Sequence, residues 1–175
     1  MEEQKKGSRS LQLIGEVDGE KVDGLIREMR ELMEEDPERE ITLYLASPGG
    51  SVGAGMAFHE YVRVQRVPLT VIGIGEIASI AVIVWLAGRT RKVTRRSFFL
   101  IHEVGGDYDR VTFKTKSIRD EADKMHFLER ISNDIIAEVT GRTEADIQTI
   151  TAERYISIRE AIKFGLLKEE DVINY

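Results

Sequence analysis

The segment from Leu69 to Ala87 constrains this chain more than any other. Its last part, Ile80 to Ala87, is uninterrupted apolar sequence. That run is far shorter than the ~20 residues a membrane-spanning helix needs, and upstream the segment is broken by Thr70, Gly73, Gly75, Glu76 and Ser79. It must therefore be buried on every side in a globular domain. Leu69 to Ile74 reads as a strand, Gly75-Glu76 as a turn, and Ile77 to Ala87 as a helix.

The flanking sequence repeats the same unit. Leu11 to Gly15 is a short strand, and Val22, Leu25, Ile26, Met29, Leu32 and Met33 then recur at helical spacing up to a stop before Pro37. Ile41 to Ala46 is a strand broken by Ser47-Pro48-Gly49-Gly50, and Val52 to Val64 a helix. Two further strand candidates, Lys92 to Thr94 and Phe98 to His102, flank a basic turn read as a solvated hairpin. Strand alternating with helix predicts an α/β fold with a mainly parallel sheet. From Phe113 to Gly141 one long helix is expected. At 1.5 Å per residue its roughly 28 residues span about 42 Å, more than the domain can cover, so part of it projects toward another subunit. Ser157 to Glu160 is a capping box that opens a last short helix ending at Gly165, and Leu166 to Tyr175 is a terminal strand or tail.

Composition narrows the function. The 175 residues, 42% hydrophobic and 32% charged with 15 Gly and 3 Pro, fit one soluble globular domain over residues 1–175, with 1–9 a short flexible segment. With no Cys there is no disulfide framework, thiol nucleophile or Cys-ligated metal, and three scattered His argue against a His-only metal site. No metal or organic cofactor is implied, and the absence of a Walker loop leaves any ATP use to a partner. A net charge of −6, from 25 Lys and Arg against 31 Asp and Glu, argues against nucleic-acid binding, although Arg89 to Arg96 holds five basic residues. No secretory signal precedes Ser10, so a cytoplasmic location without a membrane partner is expected.

Residues that follow parallel strands converge at one edge of an open α/β sheet. Gly49-Gly50, Ser79 and His102 all occupy such positions. A hydroxyl, an imidazole and side-chain-free backbone amides are the parts of an acyl-transfer site. Each part alone also has a structural reading. Pro48-Gly49-Gly50 can be a plain turn or an anion nest. Ser79 is outside any G-x-S-x-G elbow and can be a small packing residue, and His102 can be a satisfied strand-end histidine. His59 and His126 lie within helical patterns and read as packing or surface residues.

The order and wording of these motifs resemble the proteolytic subunit of Clp protease, the ClpP family of serine peptidases in the ClpP/crotonase superfamily. The resemblance runs from about Ser10 to Val172. It takes in Gly15-Glu16-Val17, Ser47 to Val52, Ala54-Gly55-Met56, Gly75 to Ser79, Ile101-His102 and Arg154 to Leu166. It implies a ClpP/crotonase-like fold whose long helix is the handle, with Ser79 as nucleophile and His102 as general base. Gly50 and Ile80 would supply the oxyanion-hole N–H groups, and Gly49, Ser51 and Val52 would run beside an extended polypeptide substrate. The slot of the triad acid holds Glu153 where the family has Asp, which keeps a carboxylate but extends it by about one bond length, ~1.5 Å. A homo-oligomeric ring, a heptamer or stacked double ring, is implied as well. Other departures concern assembly. The segment ahead of Ser10 is shorter than the family's axial-pore region, which weakens the case for an AAA+ ATPase partner. Ala152 replaces an Arg used between rings, and Glu103-Val104 replaces Gln-Pro. Two other classes stay open: a catalytically silent ring subunit, and an acyl-CoA enzyme of the crotonase type.

Overall fold

The computed structural model describes residues 8–105, 115–151 and 154–175, the side chains of the second stretch from residue 117 onward. In chain order the elements are β1 (Ser10–Ile14), α1 (Gly19–Glu35), β2 (Ile41–Ser47), α2 (Val52–Val64), β3 (Leu69–Ala78), α3 (Ile80–Leu86), β4 (Thr90–Thr94) and β5 (Phe98–Leu100). After them come α4 (Thr115–Thr140), α5 (Glu144–Ile150), β6 (Ile156–Ser157), α6 (Ile158–Phe164), a 3-10 turn at Glu169–Asp171 and β7 (Val172–Ile173). The expected alternation of strand and helix holds.

Strands β1, β2, β3, β4 and β7 lie side by side in that order, all parallel. Each of the first strands is added beside the last in one direction, and parallel crossovers are right-handed, so successive helices collect on one face of the sheet. The strand residues record this. Leu11, Leu13, Ile41, Leu43 and Leu45 are buried, while Ile14 and Tyr44 are 51% and 40% exposed on the uncovered face. Val22, Leu25 and Met29 of α1 and Phe58 and Val62 of α2 close the core. Every residue of α3 is buried, as its composition requires. Trp85 fixes that helix, its indole N–H donating to the Lys92 carbonyl at 3.1 Å and its ring meeting Phe99 edge-on at 5.2 Å.

The turn predicted at Gly75-Glu76 is absent, and β3 continues to Ala78 before α3 starts at Ile80. Tertiary pairing overrides the local pattern here. Leu45 of β2 pairs with Gly73, yet Ser47 already pairs with Ile77, so β3 bulges between them. Buried Ser97 clamps the bulge, donating to the Gly73 carbonyl at 3.0 Å and accepting the Gly75 N–H at 3.1 Å. Beyond it β3 exchanges β4 for β5 as its neighbour, in parallel with both. The basic stretch is therefore no hairpin. It lies on β4 and on the jog that carries the chain to β5, two strands placed end to end along one edge of β3.

Helix α4 has 26 residues, about 39 Å at 1.5 Å per residue. Phe113, the expected start, lies outside the described residues, as does Ala152. Toward its C-terminal end α4 buries Asn133, Ile135 and Ile136, whereas Ile118 and Phe127 nearer its start are 55% and 52% exposed. Gly141 ends it at φ 66°. Next comes α5, which the sequence reading lacks: Thr143 and Asp146 form a reciprocal capping box and Ile147 is its buried anchor. The capping box at Ser157 and Glu160 is present on α6 as predicted. Among the described residues no helix is long and apolar enough to cross a membrane.

Candidate active site

Ser79 is the one residue between β3 and α3, at φ 54° and ψ −131°. Side chains avoid that region, and residues held there cost about 1–3 kcal/mol. Two hydrogen bonds hold it, its N–H donating to the Leu100 carbonyl at 2.8 Å and its carbonyl accepting from Val82 N–H at 3.0 Å. Its hydroxyl does not cap α3. A strained strand-to-helix corner presents a side chain at the sheet edge as a nucleophile elbow does, without the G-x-S-x-G sequence.

The chain past β2 runs alongside. Val17 N–H donates to the Gly49 carbonyl at 2.7 Å and Ser51 N–H to the Val17 carbonyl at 2.8 Å, a parallel bridge centred on Gly50. In such a bridge the central residue's own N–H and C=O point the opposite way. For Gly50 that is away from β1 and toward the β3 side, where Ser79 stands. Gly49, at φ 109°, passes so close that a Cβ on it would lie 2.6 Å from the Ser79 Cβ and 3.2 Å from its Oγ. A Cβ on Gly50 would run into the Val17 carbonyl oxygen. Both glycines are thus required by contact as well as by backbone angle. Ser51 caps α2 by accepting from Ala54 N–H at 3.3 Å, and Val52 begins that helix. Ile80 is the first residue of α3, so its N–H has no acceptor within the helix.

His102 lies two residues beyond β5, whose Leu100 is tied to the Ser79 N–H. Ser79, Ile80, His102 and Val52 line one narrow cleft of about 30 Å³, with Ile83 and Ile136 among its apolar walls. The structure brings Ser79 and His102 to the same cleft without a hydrogen bond between them. Glu153 lies outside the described residues. Its C-terminal neighbours are fastened on several sides. Arg154 pairs with Glu160 at 2.8 Å, the Tyr155 hydroxyl donates to Glu76 at 3.2 Å, its ring meets Phe98 at 4.9 Å, and β6 pairs antiparallel with β5. The Ser157 N–H and hydroxyl, then Arg154, hold the Glu160 carboxyl down at about 2, and the carboxylate of Glu76 pushes the Tyr155 phenol up.

His59 and His126 stay apart from the cleft, the first buried on α2 beside Glu60 at 3.0 Å and the second on α4 with its side chain 80% exposed. Three polar residues of the cleft escaped the sequence reading: Glu129, Ser132 and Asn133 of α4. Their only signal is helical spacing, since Glu129 and Asn133 are one turn apart.

The sequence matches the family described as Clp protease over residues 3–173. The fold matches that of a solved structure of a ClpP1 mutant from Listeria monocytogenes, with a TM-score of 0.82 and 24% identity over 95% of this chain and 92% of that chain. At that identity the likeness is one of fold.

Proposed function

Since the chain belongs to the Clp protease family, we propose that it is a serine endopeptidase that cleaves unfolded or short polypeptides inside a homo-oligomeric ring. The observation that carries this reading is the strained Ser79, pressed against Gly49 at the mouth of a cleft shared with His102. In the mechanism His102 removes the Ser79 proton as Oγ attacks a peptide carbonyl. The N–H groups of Gly50 and Ile80 hold the developing oxyanion, and water, activated by the same imidazole, releases the acyl-enzyme. Glu153 keeps the imidazole in the right tautomer. The Ser79–His102 hydrogen bond forms as substrate fills the cleft, as is common for sites whose catalytic contacts tighten on binding. An extended substrate lies along Gly49, Ser51 and Val52.

Two features support a ring of single-domain subunits. One sheet face is uncovered at Ile14 and Tyr44, and α4 carries Ile118 and Phe127 into solvent. Apolar surface of this kind is what subunit contacts cover. The test is hydrolysis of a short fluorogenic peptide by the protein alone. Wild type should turn over, and Glu153→Ala should fall by ~10²–10⁴-fold with KM nearly unchanged. A folded, oligomeric protein that cleaves nothing would instead be the silent ring subunit.

A further inference from the structure

The cleft that holds Ser79 and His102 does not end at its apolar wall. Glu129 and Asn133 line both that cleft and a larger open cavity of about 580 Å³ that reaches Glu103 and the first turn of α5. Asn133 is only 8% exposed, and its side-chain amide makes no hydrogen bond among the described residues. Its polar atoms are not sealed off from the cavity, so the amide is open to pair with a ligand group there. The charge there is one-sided. Among the described residues, the carboxylates of Glu103, Asp123, Glu129 and Glu144 line the space against one guanidinium, Arg130, and the His126 ring. That guanidinium lies over the Phe127 ring, 5.7 Å from its centroid, and makes no ion pair with Glu129. The Glu129 side chain is 26% exposed and faces the His126 ring at 3.7 Å.

We propose that Glu129 is the specificity-determining residue of the cleft and selects polypeptides with a lysine or arginine beside the scissile bond. This rests on the peptidase reading above. The apolar walls formed by Ile80, Ile83 and Ile136 accept the methylene stem of such a side chain, which runs over apolar surface with its charge beyond. At the far end the Glu129 carboxylate receives the cation and the Asn133 carbonyl oxygen accepts one of its protons. An acidic substrate side chain would meet four carboxylates instead, and a leucine would leave Asn133 unpaired.

The test is kcat/KM on three peptides that differ only in the residue before the scissile bond: Lys, Leu or Glu. Wild type should prefer Lys to Leu by on the order of tenfold or more, the value of one charge-assisted hydrogen bond. The ratio should fall as salt is raised. Glu129→Gln should erase the Lys preference, and Glu129→Lys should turn it toward Glu. A wild type that prefers Leu, or a Lys-to-Leu ratio that Glu129→Gln leaves unchanged, would overturn the subsite while the peptidase stands. Failure to cleave any of the three would overturn the peptidase reading and the subsite together.

Discussion

The part of the molecule from β1 to β5 and the part from α4 onward are held in different ways. In the first, Leu13, Phe58, Trp85 and Phe99 are at most 1% exposed and α3 is sealed on all sides. Its core is closed by its own helices, and only the outer sheet face, at Ile14 and Tyr44, is left in solvent. In the second, α4 spends its buried residues on one end, at Asn133, Ile135 and Ile136, and leaves Ile118 and Phe127 in solvent. The candidate site draws on both. Ser79, Gly49, Gly50 and His102 are placed by strand ends and backbone hydrogen bonds, while α4 supplies a wall and the Arg154–Ser157 segment adjoins the acid's slot. On the proposed reading the chemistry is anchored in the first, internally packed part, and the wall of the cleft comes from the second part, which would lean on neighbouring subunits at Ile118 and Phe127.

The sharpest way to break this division is at Ser79. Ser79→Gly should abolish hydrolysis, by ~10⁴-fold or more, yet raise unfolding free energy by about 1 kcal/mol, because glycine relieves the cost of φ 54° and ψ −131°. Urea melts would show it. Gly49→Ala should act oppositely on stability, with its Cβ 2.6 Å from that of Ser79. Turnover should fall by ~10²-fold through misplacement of Oγ, and stability by about 1–3 kcal/mol, both read on one preparation. In the leaning part, Ile118→Asp should shift the sedimentation profile toward smaller species with helix content unchanged. An unshifted profile would mean that this end of α4 is not a subunit contact. The smallest effect belongs to Glu160, held at about 2 against its ordinary 4.5. A depressed carboxylate stabilises the fold fully above its unfolded value and loses that contribution as pH falls through the folded one. Glu160→Gln should therefore lower the melting temperature at neutral pH, with the gap to wild type closing between about pH 4.5 and 2.

The same division explains what was legible. Strands β1 and β2 and helices α1 and α2 follow from local periodicity, because their apolar residues face one contiguous core. The course of β3 past Gly75 did not, since it depends on Ser97, a residue distant in sequence that bridges Gly73 and Gly75. For the same reason β4 and β5 looked like a hairpin: periodicity reports that a stretch is strand, but not which edge it joins. Helix α5 had a readable cap at Thr143, but its one fully buried side chain, Ile147, makes no repeating pattern. Ser79, His102 and Gly50 were legible as positions that follow strands and through resemblance to a family, and Ile80 through that resemblance alone, since the helix was expected to begin at Ile77 and begins at Ile80. The positive φ of Ser79 and the contact that excludes a side chain at Gly49 were not, because both arise only when β2, β3 and β5 come together.

The most direct test of the central claim is intact-mass spectrometry after incubation with a fluorophosphonate, run on wild type, Ser79→Ala and His102→Ala. Stable labelling needs an activated hydroxyl beside an oxyanion hole. A single adduct on Ser79 in wild type, missing from both variants, is the predicted result. An unlabelled wild type that is folded and oligomeric, or an adduct that persists in Ser79→Ala, would contradict the assignment of Ser79 and His102 as a working nucleophile and base.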